Sequence, residues 1–354
     1  MKLKLGFLVN PYAGAGGRIG VKGSDGLRQL NPEAPSRAIR FLSSLSSDLM
    51  ILTPRLKMGE EYVSRVFNKY ELIQVGGEST TAEDTIAAVK SMVESGVKLI
   101  CFQGGDGTAL DVARGVGQSE VPVIGVPGGV KMHSGVFAPS PEEAAELVEA
   151  FARGEGELTK VDVIDADEES YRSGLYRVIR KATITSVRVG NLLVPSKDEI
   201  PIEKEELEEI ATYVIETMEP GTYYIIGPGR TAKSIEERLG LSPNYMDVDV
   251  ILDGRLIKRG ASYGELMELR GPMKLVVTPI GGQGFLFGRG NQEIGPEIIR
   301  KVRKEGTIVV SSLRKVRSLQ CLRVDTGDRK VDQLMKGVYR VLVGYERFYP
   351  LPTC

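Results

Sequence analysis

The chain has 354 residues, of which 42% are apolar and 26% charged, a composition typical of a globular protein with room for about two domains. Its 46 Lys and Arg residues nearly balance its 47 Asp and Glu residues, and the net charge of −1 argues against a nucleic-acid-binding surface. The first apolar stretch is too short for a signal peptide, and no later run is long enough to span a bilayer. The sequence therefore predicts a soluble cytoplasmic protein without a membrane partner.

The cysteine and histidine content excludes several classes of site. Cys101, Cys321 and Cys354 are far apart, which favours a reducing compartment over a disulfide framework. His133 is the only histidine, so a zinc site with mixed His and Cys ligands lacks local ligands. A serine hydrolase would have to use His133, and no Gly-x-Ser-x-Gly elbow accompanies it.

In chain order, the first half alternates short apolar strands with helices. Strands are predicted at residues 4–9, 50–52, 72–75, 97–102 and 121–126, and helices at residues 36–47, 59–69, 81–95, 109–116 and 141–153. Helices of this length between strands form right-handed crossovers, so this half predicts an open parallel α/β sheet. Thr81 with Asp84, and Thr108 with Asp111, have the spacing of capping boxes at two helix starts.

The pattern changes past Gly154. Residues 158–164 and 176–189 are β-rich, residues 203–218 form a charged helix, and a second strand–loop–helix rhythm begins at residue 223. The Gly154-Glu155-Gly156 stretch predicts a boundary between a nucleotide-binding domain at 1–155 and a substrate-binding domain at 156–354, which is mixed α/β or β-rich. The last strand could return to the first domain, and the active site is expected in the cleft between the domains.

The strongest chemical signal follows the fourth predicted strand, where the chain reads Gly104-Gly105-Asp106-Gly107-Thr108. Glycines let backbone amides approach phosphate oxygens, and a helix N-terminus adds partial positive charge. At the carboxyl end of a parallel strand such a loop faces the ligand crevice. Asp106 would there hold Mg²⁺, accept a proton from an attacking hydroxyl, or both. The alternative is a tight turn whose aspartate caps the helix.

Other phosphate-binding motifs are absent from the sequence. The chain contains no Gly-Lys pair and so no P-loop, and Ile19 stands where Gly-x-Gly-x-x-Gly requires its third glycine. No His-Arg-Asp catalytic loop occurs either. The sequence is therefore not that of a P-loop enzyme, a dehydrogenase with the dinucleotide fingerprint, or a protein kinase.

The glycine loop is similar to the signature loop of the NAD kinases, shared in variant form with diacylglycerol kinases and 6-phosphofructokinases. Asn10-Pro11-Tyr12-Ala13-Gly14 resembles the Asn-Pro-x-x-Gly loop of the same superfamily. Stretches at 20–26, 129–138, 280–284 with 288–292, and 323–328 resemble the ATP-NAD kinase-like branch that includes the AcoX proteins. The resemblance implies a Rossmann-like, phosphofructokinase-like first domain.

The resemblance also implies ATP-dependent, Mg²⁺-requiring phosphorylation of a hydroxyl, which in NAD kinases is the adenosine-ribose 2′-hydroxyl. Asp106 would act as the base, and Gly105, Gly107 and Thr108 would contact phosphates. NAD kinases carry an Asn-Glu pair in a β-rich second domain, and this chain has none. Three functions follow: an NAD kinase, a kinase of another small hydroxylated metabolite, or a non-catalytic nucleotide-binding regulatory protein.

Three further loops are candidate cofactor-binding elements: Asn10, Gly14, Gly16 and Gly17; Gly129, Lys131, His133 and Ser134; and Gly229, Arg230 and Thr231. The first would form a second phosphate wall, or is a plain surface loop. In the second, Lys131 could neutralise the transferring phosphate and His133 could read a ribose or phosphate, or be a buried histidine with satisfied hydrogen bonds. In the third, Arg230 contacts a nucleotide or belongs to a structural turn.

Several features stay open at the level of sequence. The glycine-rich segment 281–291 suggests no specific chemistry, although it could line the interdomain cleft. Asp325 and Asp328 are turn residues or metal ligands, and the turn role is favoured. The sequence does not distinguish ATP from polyphosphate as donor, and a homodimer is the default for an enzyme of this size.

Overall fold

The computed structural model describes residues 3–17, 29–46, 48–77, 79–129, 132–166, 178–190, 192–193, 204–280 and 283–354. Lys131 and the whole motif at 20–26 lie outside these residues. Among the described residues, the chain divides into one unit of residues 3–15 and 29–193 and a second of residues 16–17 and 204–354.

The first unit is built on a five-stranded parallel sheet with strand order β3-β2-β1-β4-β5. Its strands are β1 (Lys4–Val9), β2 (Met50–Pro54), β3 (Tyr70–Ile73), β4 (Leu99–Gly104) and β5 (Val123–Pro127). Every residue of β4 is buried, as expected of a central strand covered on both faces by helices. The predicted open parallel α/β sheet is confirmed.

The helices of the first unit are α1 (Ala34–Ser43), α2 (Glu60–Val63), α3 (Ala82–Glu94), α4 (Asp106–Val116) and α5 (Pro141–Ala152). Thr81 and Asp84 form both bonds of the predicted capping box at α3. The predicted capping box at Thr108 is wrong, because α4 begins at Asp106, with Gly105 as its N-cap. Thr108 therefore lies within the first turn, where its hydroxyl is available to a different partner.

An antiparallel hairpin of β6 (Glu157–Ala166) and β7 (Val178–Arg188) follows α5. It packs against α4 and β5, and Val163 and Val187 are fully buried in the core of the first unit. Its contacts group it with that unit. The boundary predicted at residues 154–156 instead placed it in the second domain, because its β-rich pattern resembles the start of a new domain.

The second unit contains a five-stranded sheet with strand order β10-β9-β8-β11-β13. Its strands are β8 (Tyr223–Ile226), β9 (Asp249–Leu252), β10 (Arg255–Lys258), β11 (Met273–Val277) and β13 (Thr307–Val309). β8, β11 and β13 are parallel, and β9 and β10 are antiparallel to their neighbours. Ile225 faces one hydrophobic core, while Tyr224 and Ile226 face another. This is the predicted mixed α/β unit.

Two pairs of short strands complete the second unit, β12 (Phe285–Phe287) with β14 (Arg323–Val324), and β15 (Val338–Gly344) with β16 (Arg347–Pro352). The last strands group with this unit rather than with the first. The helices are α6 (Lys204–Glu216), α7 (Arg230–Arg238), α8 (Tyr263–Glu268), α9 (Pro296–Val302), α10 (Leu313–Ser318) and α11 (Arg329–Leu334). In the described ranges, no helix combines the length and apolar character needed to cross a membrane.

Cys321 and Cys354 form a disulfide, with Cα atoms 5.6 Å apart. The sequence analysis favoured a reducing compartment over a disulfide framework because the cysteines are far apart. That expectation was wrong for Cys321 and Cys354, which form a disulfide although 33 residues separate them in sequence. The amide of Cys354 donates to the carbonyl of Leu322 at 2.9 Å, so the C-terminal strand runs beside the other cysteine. Cys101 is a free thiol buried in β4.

The glycine-rich segment near residue 288 forms a tight turn after β12. Gly288 has φ +86°, and a side chain there would overlap the carbonyl of Asp325. Its amide donates to Asn291 Oδ1 at 3.1 Å, and Asn291 Nδ2 donates to the carbonyl of Leu286 at 2.7 Å. Gly288 thus has a packing role that sequence reasoning missed.

The two aspartates near residue 326 have different partners. Asp328 is the N-cap of α11, where it accepts from the amides of Lys330 and Val331, which confirms the predicted turn role. Asp325 is buried, with its carboxylate 3.5 Å from the guanidinium of Arg289. Neither residue belongs to a group of acidic, histidine or cysteine side chains able to hold a metal, as far as the described residues extend.

Candidate active site

Three loops of the first unit leave the sheet at the same edge, after β1, β4 and β5. These strands are parallel neighbours, so their carboxyl ends lie side by side. The strand order reverses between β1 and β4, since β2 and β3 lie on one side of β1 and β4 and β5 on the other. Open α/β sheets bind ligands at such a point, and the predicted glycine loop begins there.

Asn10 joins the first two of these loops. Its Nδ2 donates to Thr108 Oγ1 at 2.9 Å, and its Oδ1 accepts from the amide of Tyr12 at 3.0 Å. Its own amide donates to the carbonyl of Gln103 at 2.9 Å. The bond between Asn10 and Thr108 spans 98 residues of sequence and fixes the loop after β1 against the first turn of α4.

The glycine loop presents the start of α4. Gly105 is the N-cap and forms no side-chain cap, so backbone amides alone face outward from the first turn. A side chain at Gly104 would collide with Thr108, at 2.5 Å from its Cβ. Gly107 differs, since it is exposed and an added Cβ would meet nothing within 4 Å. The helix N-terminus therefore opens beside Gly107 and can accept an anion.

The loops after β1 and β5 also touch each other. Gly14 has φ +85°, and a side chain there would overlap the carbonyl of Gly128. Asn31 Nδ2 donates to the carbonyls of Ala13 at 2.7 Å and Gly128 at 3.3 Å. Gly14 is thus required by a close backbone approach, and Asn31, which sequence reasoning missed, joins the two loops.

Asp106 lies inside this edge and is 2% exposed. Its Oδ2 is 2.8 Å from His133 Nδ1, and its oxygens accept from the amide of His133 at 2.8 and 2.9 Å. Its Oδ1 also accepts from the amide of Ser134 at 2.9 Å and from Ser134 Oγ at 2.7 Å. Four donors from two neighbouring residues thus surround the carboxylate.

The hairpin of β6 and β7 forms hydrogen bonds to the segment that surrounds Asp106. Ser134 Oγ accepts from the amide of Ile164 in β6 at 3.0 Å while it donates to Asp106. The amide of Gly135 donates to the carbonyl of Asp162 at 3.0 Å. The strand that the sequence assigned to the second domain therefore orients the side chains around Asp106.

The electrostatics favour an ionised Asp106. Burial alone would raise the pKa of its carboxyl, but the charge and hydrogen bond of His133, together with the bonds from Ser134, outweigh burial and lower the pKa below its ordinary value. The carboxylate therefore keeps its negative charge at neutral pH.

These contacts do not fit the predicted role of Asp106 as a magnesium ligand. A carboxylate offers about four lone-pair sites, and four donors already converge on this one. Mg²⁺ would have to displace them, and the described residues include no group of three or more acidic, His or Cys side chains able to hold a metal. The backbone amides at the start of α4, by contrast, fit the phosphates of a nucleotide.

The structure brings most of the predicted residues together at one sheet edge. These are Asn10, Gly14, Gly104, Gly105, Asp106, Gly107, Thr108, Gly129, His133 and Ser134. Gly16 and Gly17 continue the loop after β1 and group with the second unit. Gly229, Arg230 and Thr231 lie in the second unit at the start of α7. Lys131 lies outside the described residues.

Gln103 is a further polar residue at this edge that sequence reasoning missed. It is 1% exposed, and its Nε2 donates to the carbonyl of Ala34 at 3.0 Å. Its Oε1 is buried and, within the described part of the chain, has no hydrogen-bond partner. A polar residue near the end of an otherwise apolar strand was the available signal.

Breaking the bond between Asn10 and Thr108 should uncouple the two loops. We expect Asn10→Ala and Thr108→Val each to lower the free energy of unfolding by about 0.5–1.5 kcal/mol, because each removes the same hydrogen bond. The double variant should lose less than the sum of the single losses. Urea unfolding of the four proteins measures this coupling, and strictly additive losses would contradict it.

The comparisons with known proteins agree with this architecture. The model of the ATP-NAD kinase N-terminal domain matches residues 5–156, and that of the ATP-NAD kinase C-terminal domain matches residues 220–353. No curated protein matches the chain.

Among solved structures, the chain is similar to a diacylglycerol kinase from Bacillus anthracis str. Sterne, with 18% identity and a TM-score of 0.27 over 47% of this chain and 48% of that one. Two further structures from that organism match with the same identity and TM-score over 46% of their chains. The chain thus spans about half the length of these structures, a similarity too low to carry an argument. The two domain models together cover most of the sequence, and the chain belongs to the ATP-NAD kinase family.

Proposed function

We propose that this protein is a kinase that transfers the γ-phosphoryl group of ATP to a hydroxyl of a nucleotide-type substrate, with NAD as the acceptor and NADP as the product. Membership of the ATP-NAD kinase family supports a phosphotransferase. The observation that carries the proposal is the open N-terminus of α4 beside Gly107, held by Asn10 at the point where the sheet order reverses. Placement in the AcoX-containing branch stays a prediction.

The contacts around Asp106 support a division of roles with His133. A carboxylate beside Nδ1 of an imidazole fixes the orientation of the ring, as in catalytic triads, where Nε2 takes up the proton of the attacking hydroxyl. We therefore assign Asp106 a positioning role and His133 the role of base. The base role that the sequence predicts for Asp106 is less compatible with a carboxylate surrounded by four donors.

In the proposed reaction, the acceptor hydroxyl oxygen bonds to the γ-phosphorus as the bond from that phosphorus to the bridging oxygen of ADP breaks. The hydroxyl proton passes to His133. Phosphoryl transfer has a loose transition state, so orientation and charge stabilisation contribute more than strong base catalysis. The amides of the first turn of α4 would stabilise the phosphate oxygens.

A second acceptor class is favoured by one observation. The second unit is built on a mixed sheet with three parallel strands, and the sequence lacks the Asn-Glu pair of NAD kinases. Because the second unit differs in these two ways from that of NAD kinases, it could bind a small hydroxylated metabolite other than NAD as the acceptor.

Incubation of the protein with ATP, MgCl₂ and NAD tests the proposal, with NADP measured by an NADP-specific dehydrogenase. We expect NADP to form at a rate proportional to enzyme concentration. ADP release with other hydroxylated metabolites, but not with NAD, would select the second acceptor class. Nucleotide binding without turnover on any acceptor would instead indicate a regulatory protein.

A pair of matched glycine variants connects any activity to the proposed site. Gly107 in α4 and Gly264 in α8 are both exposed residues of a first helical turn at which an added Cβ meets nothing within 4 Å. Gly107→Val should lower kcat/KM for ATP by about 10- to 100-fold, because the side chain fills the space of the phosphate. Gly264→Val should leave kcat/KM unchanged. Equal behaviour of the two variants would remove the α4 site from the reaction.

A further inference from the structure

The disulfide between Cys321 and Cys354 lies where an external thiol can reach it. Cys354 is exposed and Cys321 is half-buried, whereas the third cysteine, Cys101, is a free thiol buried in β4. Exposed disulfides undergo exchange with external thiolates, and buried thiols are inert. The Cys321–Cys354 pair is therefore the redox-active element among the cysteines of this chain.

Cys321 touches the glycine-rich segment, to which the sequence analysis assigned no chemistry. A Cβ at Gly284 would lie 2.7 Å from the carbonyl oxygen of Cys321, so the two backbones are in close contact. The amide of Arg323 donates to the carbonyl of Gly284 at 2.8 Å, and its guanidinium donates to the carbonyl of Gln283 at 3.0 Å. The residues that follow Cys321 therefore hold the start of the glycine-rich segment in place.

The same residues also hold the turn at Gly288. The amide of Asp325 donates to the carbonyl of Phe287 at 3.2 Å, and a side chain at Gly288 would overlap the carbonyl of Asp325. Gly284 and Gly288 have φ +77° and +86°. Glycine loses more conformational entropy on ordering than any other residue, so the order of this segment depends on contacts from outside it. The residues after Cys321 provide such contacts.

The disulfide joins residues 321–325 to the end of β16. The amide of Leu322 donates to the carbonyl of Pro352 at 2.8 Å, and the amide of Cys354 donates to the carbonyl of Leu322 at 2.9 Å. A disulfide between residues 33 positions apart removes chain entropy from opened states, so its loss favours local opening. Opening at this point would release the residues that hold the glycine-rich segment.

We propose that the Cys321–Cys354 disulfide is a redox switch that controls the order of the glycine-rich segment in the second unit. The inference does not depend on the proposed function, because every contact on which it rests lies within the second unit.

A dithiol reductant would open the switch in two exchange steps. Its first thiolate attacks the sulfur of the exposed Cys354, the bond between the two cysteine sulfurs breaks, and Cys321 leaves as a thiolate that takes up a proton. The second thiol of the reductant then displaces Cys354 from the mixed disulfide. Two electrons and two protons thus pass to the protein, and the reductant becomes an intramolecular disulfide.

Hydrogen exchange of the full chain, measured by mass spectrometry, tests the switch. Dithiothreitol should open the disulfide and speed exchange of the amides at residues 322–325 and 288 by about 10- to 100-fold, while exchange in β4 is unchanged. Re-oxidation with glutathione disulfide should restore the slow exchange. Equal exchange in the oxidised and reduced proteins would overturn the proposal.

Cys354→Ser keeps the switch open without a reductant. Its exchange should equal that of the reduced wild type, and dithiothreitol should cause no further change. Cys101→Ala is the matched control, because it removes a thiol that forms no disulfide, and it should keep the wild-type response to dithiothreitol. A response in Cys354→Ser, or its loss in Cys101→Ala, would overturn the assignment to this disulfide. If Cys354→Ser does not fold, reduced wild type supplies the open state.

The strength of reductant needed distinguishes a switch from a purely structural disulfide. In a glutathione buffer with the reducing ratio of a cytosol, the disulfide should open, because exposed disulfides are more easily reduced than structural ones. N-ethylmaleimide labelling of the denatured protein, read by mass spectrometry, then counts the free thiols. All three cysteines should react in the open state, and Cys101 alone in the closed state. A disulfide that persists in this buffer would overturn the switch.

Discussion

Asp106→Asn is expected to lower kcat by about 10²- to 10⁴-fold while nucleotide binding is retained. An asparagine has one acceptor oxygen, and its NH₂ group would face the amides that now donate to Asp106. The ring of His133 would lose the partner on Nδ1 that orients it. The measurement is the steady-state rate beside a calorimetric titration with ATP, and unchanged turnover would remove Asp106 from the chemistry.

A double variant distinguishes the roles of Asp106 and His133. If Asp106 acts only through His133, then Asp106→Asn combined with His133→Gln should be no slower than the slower single variant. Losses that multiply would mean that the two residues act independently, and would return the base role to Asp106. Ser134→Ala is the control for structure, because it removes one donor to the carboxylate and leaves the imidazole in place.

The pH dependence of stability provides a further check on Asp106. The pKa of its carboxyl is lower in the folded protein than its ordinary value, so its ionised form contributes stability above the unfolded-state pKa. That contribution is lost as the pH falls through the folded-state pKa. The difference in unfolding free energy between wild type and Asp106→Asn should therefore shrink in acid.

Lys233→Met is expected to destabilise the second unit by about 3–5 kcal/mol. Lys233, Glu236 and Asp249 are each 0% exposed, and the ammonium lies 2.7 Å from Glu236 Oε1 and 2.5 Å from Asp249 Oδ2. Methionine keeps most of the side-chain volume but leaves two buried carboxyl groups without their cation. Urea unfolding followed by circular dichroism measures the loss, and a change below about 1 kcal/mol would contradict it.

Glu236→Gln is the matched control, because it keeps the pair of Lys233 with Asp249. Burial raises the pKa of the Glu236 carboxyl from 4.5 to about 7, against the lowering effect of Lys233. A folded-state pKa above the unfolded value gives stability that is present in acid and lost as the pH rises from about 4.5 to 7. This decline should be present in the wild type and absent from Glu236→Gln.

The same cluster also fixes the start of α7. Lys233 lies one turn into α7, and its amide donates to the carbonyl of Gly229 at 3.0 Å. Its bond to Asp249 ties the first turn of α7 to β9. Loss of Lys233 should therefore loosen the first turn of α7.

The sequence by itself determined the secondary structure and turns that depend on residues close together in the chain. Alternating apolar strands and helices predicted the parallel sheet, and the Thr81–Asp84 spacing predicted a capping box that forms. The glycine loop predicted a strand end followed by a helix N-terminus, because tight turns and first-turn amides are short-range properties.

Only the tertiary structure decided which distant residues meet. Asn10 reaches Thr108 across 98 residues, Asp106 reaches His133 across 27, and Cys321 reaches Cys354 across 33. The hairpin of β6 and β7 belongs to the first unit because its apolar side chains pack in the core of that unit. Such contacts depend on how the sheets and helices pack, and the order of residues along one segment does not encode them.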